Sequence, residues 1–227
     1  MAPLKSGRQL WTAVDEYFRG LLAPPDKYLE AAAKANRKAG LPAIDVSPLQ
    51  GQHLNILVRL TQPKRVLEIG TLGGYSTICM ARALPVDGRI VTIEFSPRHA
   101  EVARKNLKTA GVLDRVDLRM GPALHILPML QSEGAGPFDF IFIDADKQSN
   151  AEYVKWALRL SHVGTTIVVD NVVRDGKVTD GKSKDPDIVG TRRMAELIST
   201  EPRLSATVMQ NVGAKGYDGF LLAVVVS

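Results

Sequence analysis

Two apolar runs, each ending abruptly in a carboxylate, constrain this chain more than any other feature. Phe140-Ile141-Phe142-Ile143-Asp144 and Thr166-Ile167-Val168-Val169-Asp170-Asn171 are unbroken stretches of β-branched and aromatic residues. They lack the alternation of a half-exposed strand, which is the pattern of central strands covered on both faces of a parallel sheet. Each turns polar only at its carboxyl end. In open α/β sheets, ligands bind in the crevice outside those ends. Asp144, Asp170 and Asn171 would therefore gather three oxygen ligands at one rim, with Lys147 one turn beyond. Oxygen-only ligation suits magnesium or another hard divalent cation such as manganese or calcium, whereas zinc prefers nitrogen and sulfur. A plainer alternative is that Asp144 caps a helix and Asp170-Asn171 makes a turn. It serves either strand end alone, but less well two ends in one sheet.

A glycine turn lies upstream in Leu67-Glu68-Ile69-Gly70-Thr71-Leu72-Gly73-Gly74-Tyr75-Ser76, between a short strand and a helix expected over about 75–83. Its Glu-x-Gly-x-x-x-Gly spacing is not the Gly-x-Gly-x-x-Gly that delivers a pyrophosphate onto a helix N-terminus. That argues against a nicotinamide dehydrogenase. The next strand, Arg89-Ile90-Val91-Thr92-Ile93-Glu94, ends in an acid twenty residues after Gly74, where nucleotide folds place the carboxylate for ribose hydroxyls. Together these features describe an adenosine site without a pyrophosphate, which S-adenosylmethionine fits.

Four motifs in order carry a resemblance: Val46-Ser47-Pro48-Leu49-Gln50-Gly51-Gln52, the glycine turn, Phe142-Ile143-Asp144-Ala145-Asp146-Lys147 and Val169-Asp170-Asn171-Val172. In these the chain resembles the cation-dependent class I O-methyltransferases, the catechol and caffeoyl-coenzyme A enzymes and their bacterial relatives. The likeness runs from about residue 46 to the C-terminus. It implies an α/β, Rossmann-like fold: a mostly parallel seven-stranded sheet with an antiparallel last strand and helices on both faces. It also implies methyl transfer from S-adenosylmethionine to a hydroxyl of a small phenolic, catechol-type acceptor. Lys147 would be the general base, since nearby positive charge favours its neutral form. The cofactor would lie against Val46, Glu68, Gly70, Thr71, Leu72, Ser76 (on its carboxylate), Glu94 (on the ribose), Ala123 (beside adenine) and Asp144. The cation would take Asp144, Asp170 and Asn171. Ala145-Asp146 after the first metal-binding Asp follows the coenzyme A group and departs from the bulkier residues of the catechol enzymes, which leaves the acceptor open.

Strands are expected near 65–70, 89–94, 115–120, 138–144 and 165–170. Ser205 to Val212 and Gly219 to Val226 are too close for a crossover helix, so those two must pair antiparallel. Ser47 and Pro48 announce one helix, Ser96 and Pro97 another. Residues 8–38 read as two amphipathic helices broken at Pro24-Pro25, and residues 1–45 as a helical segment for dimerisation or a substrate lid. Residues 46–227 then form the methyltransferase domain. The stripe Trp11, Val14, Tyr17, Phe18, Leu21 and Leu22 is expected to be incompletely covered by the core, consistent with a homodimer.

The 227 residues suit one such domain, with no membrane span and no secretory signal. The single cysteine, Cys79, reads as a core residue in a reducing, cytoplasmic setting. His53 is assigned no role, His125 and His162 read as ordinary structural or surface histidines, and Arg174 to Lys184 as a solvated loop. The net charge of +5 permits nucleic acid without any dense basic stripe. A tRNA hydroxyuridine O-methyltransferase of the same family is therefore the main alternative, and a non-catalytic interaction protein a weaker one.

Overall fold

A computed structural model describes residues 7–227; residues 1–6 of the N-terminal segment lie outside the described residues. Three helices come first, α1 (Gly7–Leu22), α2 (Lys27–Lys38) and α3 (Pro48–Thr61). The core then alternates β1 (Arg65–Ile69), α4 (Tyr75–Ala81), β2 (Arg89–Glu94), α5 (Pro97–Thr109), β3 (Val116–Met120), α6 (Ala123–Ser132), β4 (Phe138–Ile143), α7 (Asn150–Arg159) and β5 (Ser161–Asp170). Helix α8 (Pro186–Ser199) leads into the hairpin β6 (Leu204–Gly213) and β7 (Gly216–Val225). The seven strands form one sheet in the order β3-β2-β1-β4-β5-β7-β6. Strands β1 to β5 pair parallel with their neighbours, while β7 inserts antiparallel between β5 and β6. This is the class I methyltransferase topology expected from the sequence.

The continuous apolar strands are explained by alternate residues facing two separate cores. Along β4, Ile141 and Ile143 pack with α6, α7 and α8, while Phe140 and Phe142 pack with α3, α4 and α5. Each large side chain fully removed from water contributes roughly 1.5–3 kcal/mol, so a polar substitution on either face of β4 opposes folding.

Helix starts follow their capping residues. Asp26 accepts hydrogen bonds from the N–H groups of Tyr28 and Leu29 at the head of α2. Ser47 and Gln50 exchange reciprocal bonds at the head of α3, and Pro48 fills the first position, where no N–H is needed. Helix α4 stops at Ala81, two residues short of the expectation. Lys147 lies in a 3-10 turn, Lys147–Ser149, ahead of α7.

Helix α1 buries none of its residues and lies against β6 and α3. Tyr17 is 64% exposed and Leu21 and Leu22 are each 62% exposed, so the apolar stripe is uncovered as expected. Among the described residues no helix is long and apolar enough to cross a membrane.

Candidate active site

The carboxyl ends of β1, β2, β4 and β5 converge on two cavities. The larger, of about 910 Å³, is lined by Gly70, Thr71, Leu72 and Ser76 from the glycine turn, Glu94, Ala123, and Asp144 through Lys147. Val46 closes it from the segment before α3. Every residue expected to hold the cofactor lines this cavity except one.

The exception is Glu68. It is wholly buried, one layer behind the cavity wall, and accepts hydrogen bonds from the hydroxyls of Ser76, Thr77 and Thr92 at 2.5–2.6 Å. Burial pushes its carboxyl up to about 7, against the opposing pull of those three donors. Glu68 thus ties β1 to β2 and to the first turn of α4, holding the floor of the glycine turn. Ser76 spends its proton on Glu68, so its oxygen offers lone pairs to the cavity. That suits an ammonium donor better than the carboxylate anticipated from the sequence.

The turn itself is bent by close approach. Gly70 has φ +102°, and a Cβ there would meet the Asp144 carbonyl oxygen at 2.1 Å. A side chain at position 70 would push the glycine turn off the end of β4 and displace Asp144. Gly73 is equally confined by Asn36 of α2, which bonds Asp45 at 2.7 Å and Asn106 at 3.0 Å. Helix α2 is therefore fastened to the turn.

Glu94 is 7% exposed and fixed at both oxygens: Leu72 N–H donates to Oε2 at 2.7 Å and Ser96 N–H to Oε1 at 2.8 Å. His99 Nδ1 lies 3.3 Å from Oε1. His125, read from sequence as an ordinary histidine, lines the same cavity. His162 is peripheral as expected, paired with Asp139 at 2.8 Å.

Lys147 is only 6% exposed, and its ammonium sits 2.8 Å from Asp144 Oδ1. A first-turn surface lysine would not be buried in this way. Asp170 is also 6% exposed and accepts from the Asn171 N–H at 2.8 Å. Burial, and then the charge of Asp144, raise the Asp170 carboxyl to about 7, with Lys147 opposing. Asn171 adopts φ +58°, a left-handed conformation that asparagine tolerates well, and this turns the chain back at the strand end. Two carboxylates thus share one lysine. The deficit of positive charge and the all-oxygen donor set fit a hard divalent cation.

The second cavity, of about 610 Å³, meets the first at Ile44, Val46, Asn171 and Arg174. It is lined also by Asp170, His53, Asn211, Phe220 and the β6–β7 turn. Sequence reasoning passed over His53 and read Arg174 as part of a solvated loop. Arg174 instead turns inward, its backbone at φ +56° and its N–H held by Asp218 Oδ1 at 2.9 Å. No local signal marks either residue, because the cavity is assembled from segments more than a hundred residues apart.

The O-methyltransferase family model matches residues 23–224. The chain belongs to the O-methyltransferase family. Like that family's members, it is an S-adenosylmethionine-dependent enzyme. It is 52% identical to the catechol O-methyltransferase of Niastella koreensis, with 96% of this chain and 98% of that one aligned. Identity to the catechol O-methyltransferase of Mycobacterium tuberculosis is 50%, over 93% of this chain and 94% of the relative. The crystal structure of the Bacillus cereus O-methyltransferase in complex with SAH superposes with a TM-score of 0.95 at 54% identity, covering 96% and 99% of the two chains. Cys79 is a buried free thiol whose pKa burial pushes up to about 12, as befits a core residue of this fold and not a nucleophile.

Proposed function

We propose that this O-methyltransferase transfers the methyl group to one hydroxyl of a vicinal dihydroxy aromatic acceptor, with a divalent cation, magnesium or a similar hard ion, held by Asp144, Asp170 and Asn171. The observation that carries the reading is the Asp144–Lys147–Asp170 cluster between the two cavities, with Lys147 and Asp170 buried and Asp144 partly so. The catechol O-methyltransferase names of relatives at about half identity support the acceptor class. When bound, the cation supplies acidification of the chelated hydroxyls, and the cofactor supplies an electrophilic methyl group.

In this reading the protein's residues mainly bind and orient. Glu94, fixed by two backbone N–H groups, accepts both ribose hydroxyls, and Gly70, Thr71, Leu72, Ser76, Val46 and Ala123 shape the rest of the cofactor cavity. Glu68 acts through Ser76 and the turn. The acceptor enters the smaller cavity, its hydroxyl pair toward Asp170 and Asn171. Lys147 would lose its ion pair if Asp144 served the cation; having given its ammonium proton to solvent, the neutral amine would take the hydroxyl proton at Nζ. Holding the oxygen in line with the methyl carbon removes much of the barrier.

Residues 1–45 would act as a lid and dimerisation element, supported by the uncovered stripe on α1 and the ties from α2 to the glycine turn. A reducing, cytoplasmic setting belongs to the same reading, supported by the lone buried thiol. The alternative acceptor is a hydroxylated tRNA base. Incubation with magnesium and isotopically labelled cofactor should label catechol and not hypomodified tRNA; the reverse pattern would overturn the assignment.

Glu94→Ala is expected to weaken S-adenosylmethionine binding with little effect on folding. Hydrogen bonds to a charged group contribute roughly 1.5–3 kcal/mol, so the affinity should fall about tenfold or more. Calorimetric titration checks this, and unchanged affinity would remove Glu94 from the cofactor site.

A further inference from the structure

The turn joining β6 to β7 lines the acceptor cavity, and α1 sets its position. Ala214 N–H donates to Asp15 Oδ2 at 2.8 Å, and Arg8 Nη2 donates to the Ala214 carbonyl at 3.3 Å. A Cβ at Gly213 would meet Asp15 Oδ2 at 2.5 Å, so helix and turn are in direct contact. Lys215, next along the turn, and Arg8 therefore occupy one rim of the cavity.

Three cations, Arg8, Arg174 and Lys215, and three acids, Asp15, Asp170 and Asp218, line that cavity, but the acids are engaged away from Arg8 and Lys215. Asp218 Oδ1 is taken by the N–H groups of Val173, Arg174 and Gly219, and Asp15 by Ala214. Arg174 pairs with Asp187 at 3.3 Å, and Asp170 belongs to the cation site. Arg8 and Lys215 have no carboxylate within 4.0 Å among the described residues. Lys215 is an exposed residue, yet partial burial of its ammonium lowers its pKa, opposed by the charges of Asp45, Asp144 and Asp170. Further along the wall, His53 Nε2 and Asn211 Oδ1 are buried without a hydrogen-bond partner among the described residues. Unpaired buried polar atoms are costly, so they mark a wall that a ligand or water completes.

We propose, resting on the acceptor reading above, that the acceptor carries a carboxylate remote from its hydroxyl pair and that Lys215, with Arg8 beside it, is the counter-charge. The favoured class is catechols bearing an acid, such as dihydroxybenzoates or dihydroxycinnamates. A neutral catechol leaves both cations unpaired, and a cationic one meets like charge. Lys215 thereby selects among acceptors without taking part in the chemistry.

The test is calorimetry on the full chain with magnesium and S-adenosylhomocysteine, which has no methyl group to transfer. The wild-type protein should bind 3,4-dihydroxybenzoate about tenfold more tightly than catechol, and the preference should shrink with added salt. Lys215→Ala should lose about fivefold on the acid, as suits a partly exposed ion pair, and nothing on catechol. Lys215→Arg should keep the preference, and Lys215→Glu should favour 4-(2-aminoethyl)catechol instead. Equal wild-type binding of acid and catechol, or equal losses on both in Lys215→Ala, overturns the inference and leaves the catechol reading intact. Tighter binding of the coenzyme A thioester of 3,4-dihydroxycinnamate than of its free acid also overturns it. Failure to bind any catechol defeats the acceptor reading and this inference with it.

Discussion

Excess chelator is expected to abolish methyl transfer to a catechol, and Asp170→Ala to reproduce that loss with magnesium present. Asp170 is a buried carboxylate beside a second one, and the one cation within ion-pair distance of the two among the described residues, Lys147, is bound to Asp144. Burial and the neighbouring charge push the Asp170 carboxyl up to about 7, so the two carboxylates are poorly compensated by the protein alone. A divalent ion supplies the missing charge. Losing an outer partner of a ligand typically lowers metal affinity about ten- to hundredfold, so losing a ligand itself should cost at least that. Magnesium titration and turnover should therefore fail together in Asp170→Ala. Cofactor affinity should survive, because Glu94 and the glycine turn are built from β1 and β2. Full turnover in excess chelator would defeat the metal assignment.

The parts of this molecule legible in its sequence are those whose signal is local. Unbroken apolarity in β4 and β5 announces strands covered on both faces, and alternate residues do enter two different cores. The short gap between β6 and β7 forces their antiparallel pairing. Capping residues announce α3 and α5. The rim carboxylates follow from strand ends alone. Less legible is which side of a wall a residue occupies. Glu68 shares its motif with cavity residues, yet the two-residue period of β1 turns it beneath the turn toward Ser76 and Thr77. The smaller cavity is hardest to read. It needs β7 inserted between β5 and β6, which brings Lys215 near Asp170, and it needs α1 laid against β6, which brings Arg8 to the same rim. Neither juxtaposition leaves a spacing in the chain, and a lysine in a Gly-rich turn looks like any surface lysine.

Lys147→Ala should lower turnover on an unactivated catechol about a hundredfold to ten-thousandfold, the usual range for a general base. Magnesium and cofactor affinity should stay close to wild type, because a base acts mainly in the transition state and contributes little to ground-state binding. The structure sharpens this expectation. Lys147 is buried and fixed 2.8 Å from Asp144, so it already stands at the rim where the proposed mechanism puts the acceptor hydroxyl. Its removal also takes away a cation opposing the Asp144–Asp170 repulsion, so magnesium affinity should rise slightly if it changes at all. That sign separates the base from a ligand: the Asp170 variant loses metal and turnover together, whereas the Lys147 variant loses turnover alone. The deficit should shrink as pH rises, and with nitro-substituted catechols whose hydroxyl is already ionised, because less proton transfer is then required. Near wild-type turnover of Lys147→Ala on plain catechol at neutral pH would mean that the cation alone activates the oxygen, leaving Lys147 only to neutralise the carboxylate pair.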